Sequence, residues 1–276
     1  LIATSYNNGL ITEQSLFDES SLDYDGLTRS VSNFYTSVAQ DGTTVGWGSA
    51  PFDKVSFTPD GETDEETWFT REFIERGILI SAGGVEVPLL PEFNEHGGSS
   101  KATDIIATDT GYVVVGNVSV SIPAERQTTI TDNCDGLDEP VMACIELINS
   151  RNTRGVFNKT AVKWTLDSTY NVTSTELLGL ALTPEEDEDR TPFNSIALAV
   201  NSNGIAVGSS DTRDIDNDNR IYSMPTYFKD GEVVDFINQQ DDWQAGKAFA
   251  INDNDIIAGY AAKPIEGSLR NKLFYH

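Results

Sequence analysis

The amino-acid sequence predicts an all-β, propeller-like fold of about four blades, each a four-stranded antiparallel sheet, and three observations carry that expectation. The first is a repeat: SIALAVNSNGIAVGSS (Ser195 to Ser210) is nearly rewritten as AFAINDNDIIAGY (Ala248 to Tyr260), and FYTSVAQDGTTVGWGS (Phe34 to Ser49) and ATDIIATDTGYVVVGNVS (Ala102 to Ser119) fit the same frame. The second is the turn dipeptide inside each copy, Asp41-Gly42, Thr110-Gly111, Asn203-Gly204 and Asn254-Asp255. Asp-Gly and Asn-Gly between alternating apolar runs mark hairpins, because both residues tolerate the positive φ of a type I′ turn. The third is a recurring second piece, an aromatic strand, a turn and another strand. It is clearest in MPTYFKDGEVVDF (Met224 to Phe236) and longer in TAVKWTLDSTYNVTSTELLG (Thr160 to Gly179) and TWFTREFIERGILISAGGVEV (Thr67 to Val87).

Taken in chain order, residues 5–17 read as the second half of a blade, and units begin near 34, 102, 195 and 248, all within a single domain of 1–276. The chain thus starts and stops inside units, so the N-terminal strands either complete the last blade or the chain is one sector of a larger propeller. Each repeat closes on a glycine, Gly46, Gly116, Gly208 or Gly259, at a position where a glycine weakens a strand unless backbone passes close to backbone, as around a crowded central axis. Ala39, Ala107, Ala199 and Ala250 are expected as small core residues beside them, and Trp47, Trp68, Trp164 and Trp243 as packing between blades. Little helix is expected; LDEPVMACIELINSR is the one stretch with apolar residues at helical spacing.

ALAVNSNGIAVGSS followed by PTYFKDGEVVDF, and AFAINDNDIIAGY followed by KLFYH, resemble the HAF-type extracellular repeat of bacterial secreted proteins. The heavy acidity is similar to that of an uncharacterised family of such proteins from marine gammaproteobacteria. The resemblance implies a propeller-like fold and an exported location, and brings no activity with it.

The formal charge of −26, from 44 acidic and 18 basic residues, excludes nucleic acid and anionic membrane surfaces as partners through electrostatic repulsion. No stretch approaches the roughly 18 to 20 apolar residues of a membrane span. Cys134 and Cys144 lie in TDNCDGLDEPVMAC, a loop that suits a local disulfide and contains no histidine to complete a zinc site. Low lysine content, acidity and that disulfide together predict a protein outside the cell or on its surface, and the HAF-type resemblance implies that the cell is bacterial. The sequons at Asn117, Asn158 and Asn171 are then silent.

Asp211, Asp214, Asp216 and Asp218, in SSDTRDIDNDNRIY, present alternating hard-oxygen ligands and form a candidate Ca2+ loop, although the twelfth position from Asp214 is Pro225 and not the bidentate glutamate of an EF-hand. The acid block at 185–189 and the acidic insertion at 53–68 are expected on one rim. With only His96 and His276, and no serine in a nucleophile frame, a hydrolytic triad finds no support. Three functions follow. The favoured one is a non-enzymatic module that binds a protein or polysaccharide; the others are self-assembly through terminal strands and, as the enzymatic alternative, a carboxylate-dependent glycan hydrolase or lyase on a propeller scaffold.

Overall fold

The computed structural model describes residues 3–7, 10–14, 23–24, 27–28, 32–134, 138–182, 192–214, 217–237 and 243–276. It is an all-β chain whose main sheets are arranged as a four-bladed propeller. Two short hairpins come first, β1 (Ala3–Asn7) with β2 (Leu10–Gln14) and β3 (Asp23–Tyr24) with β4 (Leu27–Thr28). The first blade follows, from β5 (Asn33–Val38) and β6 (Thr44–Gly48), across an inserted hairpin of β7 (Asp53–Phe57) and β8 (Glu66–Thr70), to β9 (Arg76–Ile80) and β10 (Glu86–Leu89). The second blade is β11 (Ser100–Thr108) and β12 (Gly111–Ser121), then helices α1 (Ala124–Cys134) and α2 (Val141–Arg151), then β13 (Asn158–Asp167) and β14 (Val172–Gly179). The third is β15 (Ser195–Val200), β16 (Ala206–Asp214), β17 (Asn217–Lys229) and β18 (Glu232–Asp235). The fourth holds β19 (Ala245–Ile251), β20 (Ile257–Ile265) and β21 (Ser268–Tyr275). Pairing within each blade is antiparallel, so every second-to-third-strand connection leaves at the same end of its blade and the tight first-to-second turns lie at the other.

Each first strand carries a β-bulge at the same repeat position, Thr36, Thr103, Leu198 or Phe249. The bulge presses a carbonyl onto the second strand, and there the repeated glycine is required: a Cβ on Gly208 would stand 1.9 Å from Ile196 O. At Gly46, Gly116 and Gly259 the corresponding distances are 2.0, 1.7 and 2.1 Å. The crowding expected from a central axis therefore arises inside each blade. Bulged threonines also reach the next blade, Thr36 donating to Ala102 O (2.8 Å) and Thr103 to Ala197 O (2.6 Å).

The register corrects the alanine frame. Ala102, Ala197 and Ala248 face the repeated glycines and are fully buried, whereas Ala107 and Ala250 are exposed. The turns differ too from the expected two-residue type I′ form. In three blades the loop closes between Ala39 N and Thr43 O, Asn201 N and Ile205 O, or Asn252 N and Ile256 O, and only the last loop residue, Gly42, Gly204 or Asp255, has positive φ. That is a type I turn completed by one left-handed residue, so an Asp can stand where others use Gly.

The core lies in the seams. Val45, Leu79 and Leu89 of the first blade meet Val114, Val162 and Trp164 of the second; Val115 and Ala161 meet Ala197 and Phe228; Ala199 and Val207 meet Ala248 and Ile257. Trp164 is among the largest fully buried side chains, and Trp47 stacks on Phe34 at 4.1 Å, but Trp68 stands on the inserted β7–β8 hairpin rather than between blades. Helix content exceeds the sequence expectation: the short helical turn expected within 137–151 is the full helix α2, and α1 accompanies it.

These contacts predict different outcomes at two glycines of one hairpin. Gly208→Ala, with no room for its methyl, is expected to lower stability by about 3 kcal/mol or more. Gly204→Ala, with open space but a φ of +79, is expected to cost about 1 kcal/mol. Urea midpoints of the two variants separate the effects.

Candidate binding face

The end of the molecule from which the second-to-third-strand connections leave is elaborated by insertions. The first-blade insertion is the β7–β8 hairpin, and the second-blade insertion is the helical pair. Pro123 and Pro140 precede the two helices and use only their carbonyls, accepting from Gln127 N–H and from Ala143 and Cys144 N–H, so their missing donors cost nothing. The helices pack through Ile130, Cys134, Cys144 and Ile145 onto Val156 and Phe157. The Cys134–Cys144 disulfide joins the end of α1 to the start of α2.

Arg71, just after β8, locks the two insertions together. Its guanidinium lies over the Phe52 ring at 4.4 Å and makes a paired contact with the Glu146 carboxylate on α2, one arm of which is Nε to Oε2 at 3.1 Å. Two cavities open where the insertions meet. One, of about 470 Å³, has Phe52, Phe69, Ala143 and Leu147 in its walls; the other, of about 660 Å³, is lined by Glu62, Asp64, Glu66 and Asp138. Trp68 and Glu139 line both, so the two adjoin at these side chains and are together called the groove. The indole N–H of Trp68 is donated to Glu66 Oε2 (3.2 Å), and Leu147 is 39% exposed.

Carboxylates elsewhere serve the frame. Glu75 lies at the seam between the first and second blades, 2.7 Å from Lys101 Nζ and 2.8 Å from Lys159 Nζ, and accepts from Ser99 Oγ at 2.7 Å. Lys101 also sits over the Trp47 ring. Burial pushes the Glu75 carboxyl up, but the two ammonium groups outweigh it and hold it at about 2.

Asp211, one of the sequence-predicted calcium ligands, is buried at the next seam. Its Oδ2 accepts from Arg154 at 2.5 Å and from Asn194 N–H at 2.8 Å. Burial raises its carboxyl, opposed by Arg154 and the Asn194 N–H. The repeat explains the position. Three residues after the strand glycine, Ser49 accepts from Ser32 N–H (2.9 Å), Ser119 from Ser99 N–H (2.9 Å) and Asp211 from Asn194 N–H (2.8 Å), each clasping the start of its own blade. Asp214 and Asp218 lie on the facing strands β16 and β17; their side chains, Asp216 and the acid block at 185–189 lie outside the described residues.

Of the sequons, Asn117 is buried and the Asn158 amide is bonded at both ends, to Ser121 Oγ and Phe193 N–H. Asn171 is exposed. The groove itself was missed by the sequence reading, which placed Trp68 in the core; the run of acids at 60–66 leading directly into Trp68-Phe69 is the one signal that marks it.

Fold and face together define a four-bladed propeller with an elaborated end. The chain belongs to the family described as protein of unknown function (DUF3466), which matches residues 4–276. No curated protein matches the chain.

Two outcomes follow from these contacts. The folded value of Glu75 lies below its ordinary 4.5, so its network stabilises fully above that pH and is lost as pH falls toward 2. Wild type should lose roughly 3 kcal/mol more than Glu75→Gln across that interval, read as the difference in urea midpoints. Replacing both Cys134 and Cys144 by Ser frees an 11-residue ring of chain, from a separation of 10, and is expected to cost about 3 kcal/mol while the β-sheet circular dichroism persists.

Proposed function

We propose that the chain is a non-enzymatic binding module of an exported bacterial protein, held outside the cell or on its surface, and that its partner surface is the end bearing the insertions. The observation that carries this reading is the groove between the β7–β8 hairpin and the helical pair, an apolar-walled opening with Trp68 and Leu147 accessible. The insertions are pinned to each other by Arg71 and Glu146 and internally by the disulfide, so little freedom remains to be lost on binding. The disulfide favours an oxidising compartment, and the HAF-type resemblance of the repeats agrees with export. The buried carboxylates Glu75 and Asp211 are each held by cations, which favours binding over glycan hydrolysis by a carboxylate pair.

The test is a screen of the immobilised chain against a polysaccharide array and a displayed peptide library, with reducing-end release followed in parallel. Saturable binding without turnover is expected. Release of reducing ends from any glycan overturns the reading in favour of a hydrolase.

A further inference from the structure

We propose that the groove takes a cationic, amphipathic polypeptide segment, an extended stretch in which Lys or Arg alternates with Leu or an aromatic residue; this rests on the reading of the chain as a binding module. The groove has two unlike halves that meet at Trp68. On one side Phe52, Phe69 and Leu147 offer an apolar wall, and on the other Glu62, Asp64 and Asp138 offer carboxylates, with Glu139 bordering both. An apolar side chain enters the first half, while basic neighbours on the same segment meet the second.

The charge is uncommitted within the fold. Among the described residues the inserted hairpin carries one lysine, Lys54 opposite Phe69, and Arg71 just after it is already bound to Glu146, whereas none of Glu62, Asp64, Asp138 and Glu139 makes an ion pair. The indole N–H of Trp68 is used by Glu66, which leaves its face for a guanidinium or an alkyl chain. Each exposed acid contributes little alone, but several on one wall repel polyanions and steer polycations. That arrangement selects a basic polypeptide over an acidic polysaccharide.

The probe is a short fluorescent peptide alternating Lys with Leu and Trp, compared with oligolysine and with the same peptide carrying Glu for Lys, by anisotropy at low and high ionic strength. Binding about tenfold tighter than oligolysine, weakened by salt, and absent for the Glu peptide is expected. Trp68→Ala and Glu139→Lys should each weaken it about tenfold, and Leu147→Asn likewise, while Glu232→Lys on the third blade, with the same change in net charge as Glu139→Lys, stays within about twofold. Melting curves matched to wild type confirm that the variants fold.

Equal loss in Glu139→Lys and Glu232→Lys overturns the proposal, because bulk acidity would then be the attraction. So does affinity no better than that of oligolysine. Self-association abolished by the groove variants, with no peptide binding, would assign the groove to a second copy and also overturn it. A glycan or neutral peptide retained in the screen above, with the cationic probe unbound, overturns this inference and leaves the binding-module reading standing; glycan turnover strikes that reading instead.

Discussion

In every blade the carbonyl two residues before the bulged residue of the first strand occupies the space that a Cβ on the second strand would need, and the rest of the propeller follows from that contact. The bulge strengthens local twist and turns one side chain out of the ladder toward the next blade. Where that residue is Thr36 or Thr103, its hydroxyl bonds a carbonyl of the neighbouring first strand. A single local irregularity thus sets blade curvature, demands a glycine opposite it, and begins the seam with the next blade.

The seams are then finished by two kinds of contact. Apolar side chains interdigitate between sheets, which supplies most of the burial. Polar side chains at fixed repeat positions hold the strand starts, as Ser49, Ser119 and Asp211 do. The substitution of Asp for Ser at the third of these positions brings a charge into a buried site, and Arg154 is its partner. Glu75, with Lys101 and Lys159, has a similar role at the preceding seam. With the frame secured this way, its second-to-third-strand connections are free to lengthen into the hairpin and helices that build the groove.

The repeat unit, its two hairpins and its closing glycine were legible because each depends on a few neighbouring residues. The reason for the glycine was not, because a bulge shifts register by one residue and leaves no composition of its own. The same shift moved the alanine frame, so that Ala102, Ala197 and Ala248, not Ala107 and Ala250, prove to be the buried partners. Helix α1 was illegible for another reason. After AERQ the segment AERQTTITDNC holds only weak helix formers, and Thr128 and Thr129 turn their hydroxyls back onto Ala124 and Glu125 carbonyls. What holds it is Ile130 in the cluster with α2 and the disulfide at its end.

The paired cysteines could be matched from sequence because ten positions of separation in a turn-rich loop bring them within reach, and the disulfide is formed. Trp68 could not be placed, since an aromatic residue in a repeat protein belongs by default between sheets, and only the insertion of β7 and β8 outside the blade leaves it at the surface. The sequence by itself determined the all-β class, the number of repeats and the cross-link, all of which rest on alternation, turn chemistry and short chain separations. Tertiary structure alone decided which acids are buried clasps and which line a groove, because that depends on cations and aromatic rings brought from distant positions, as Arg71 is to Glu146 and Arg154 is to Asp211.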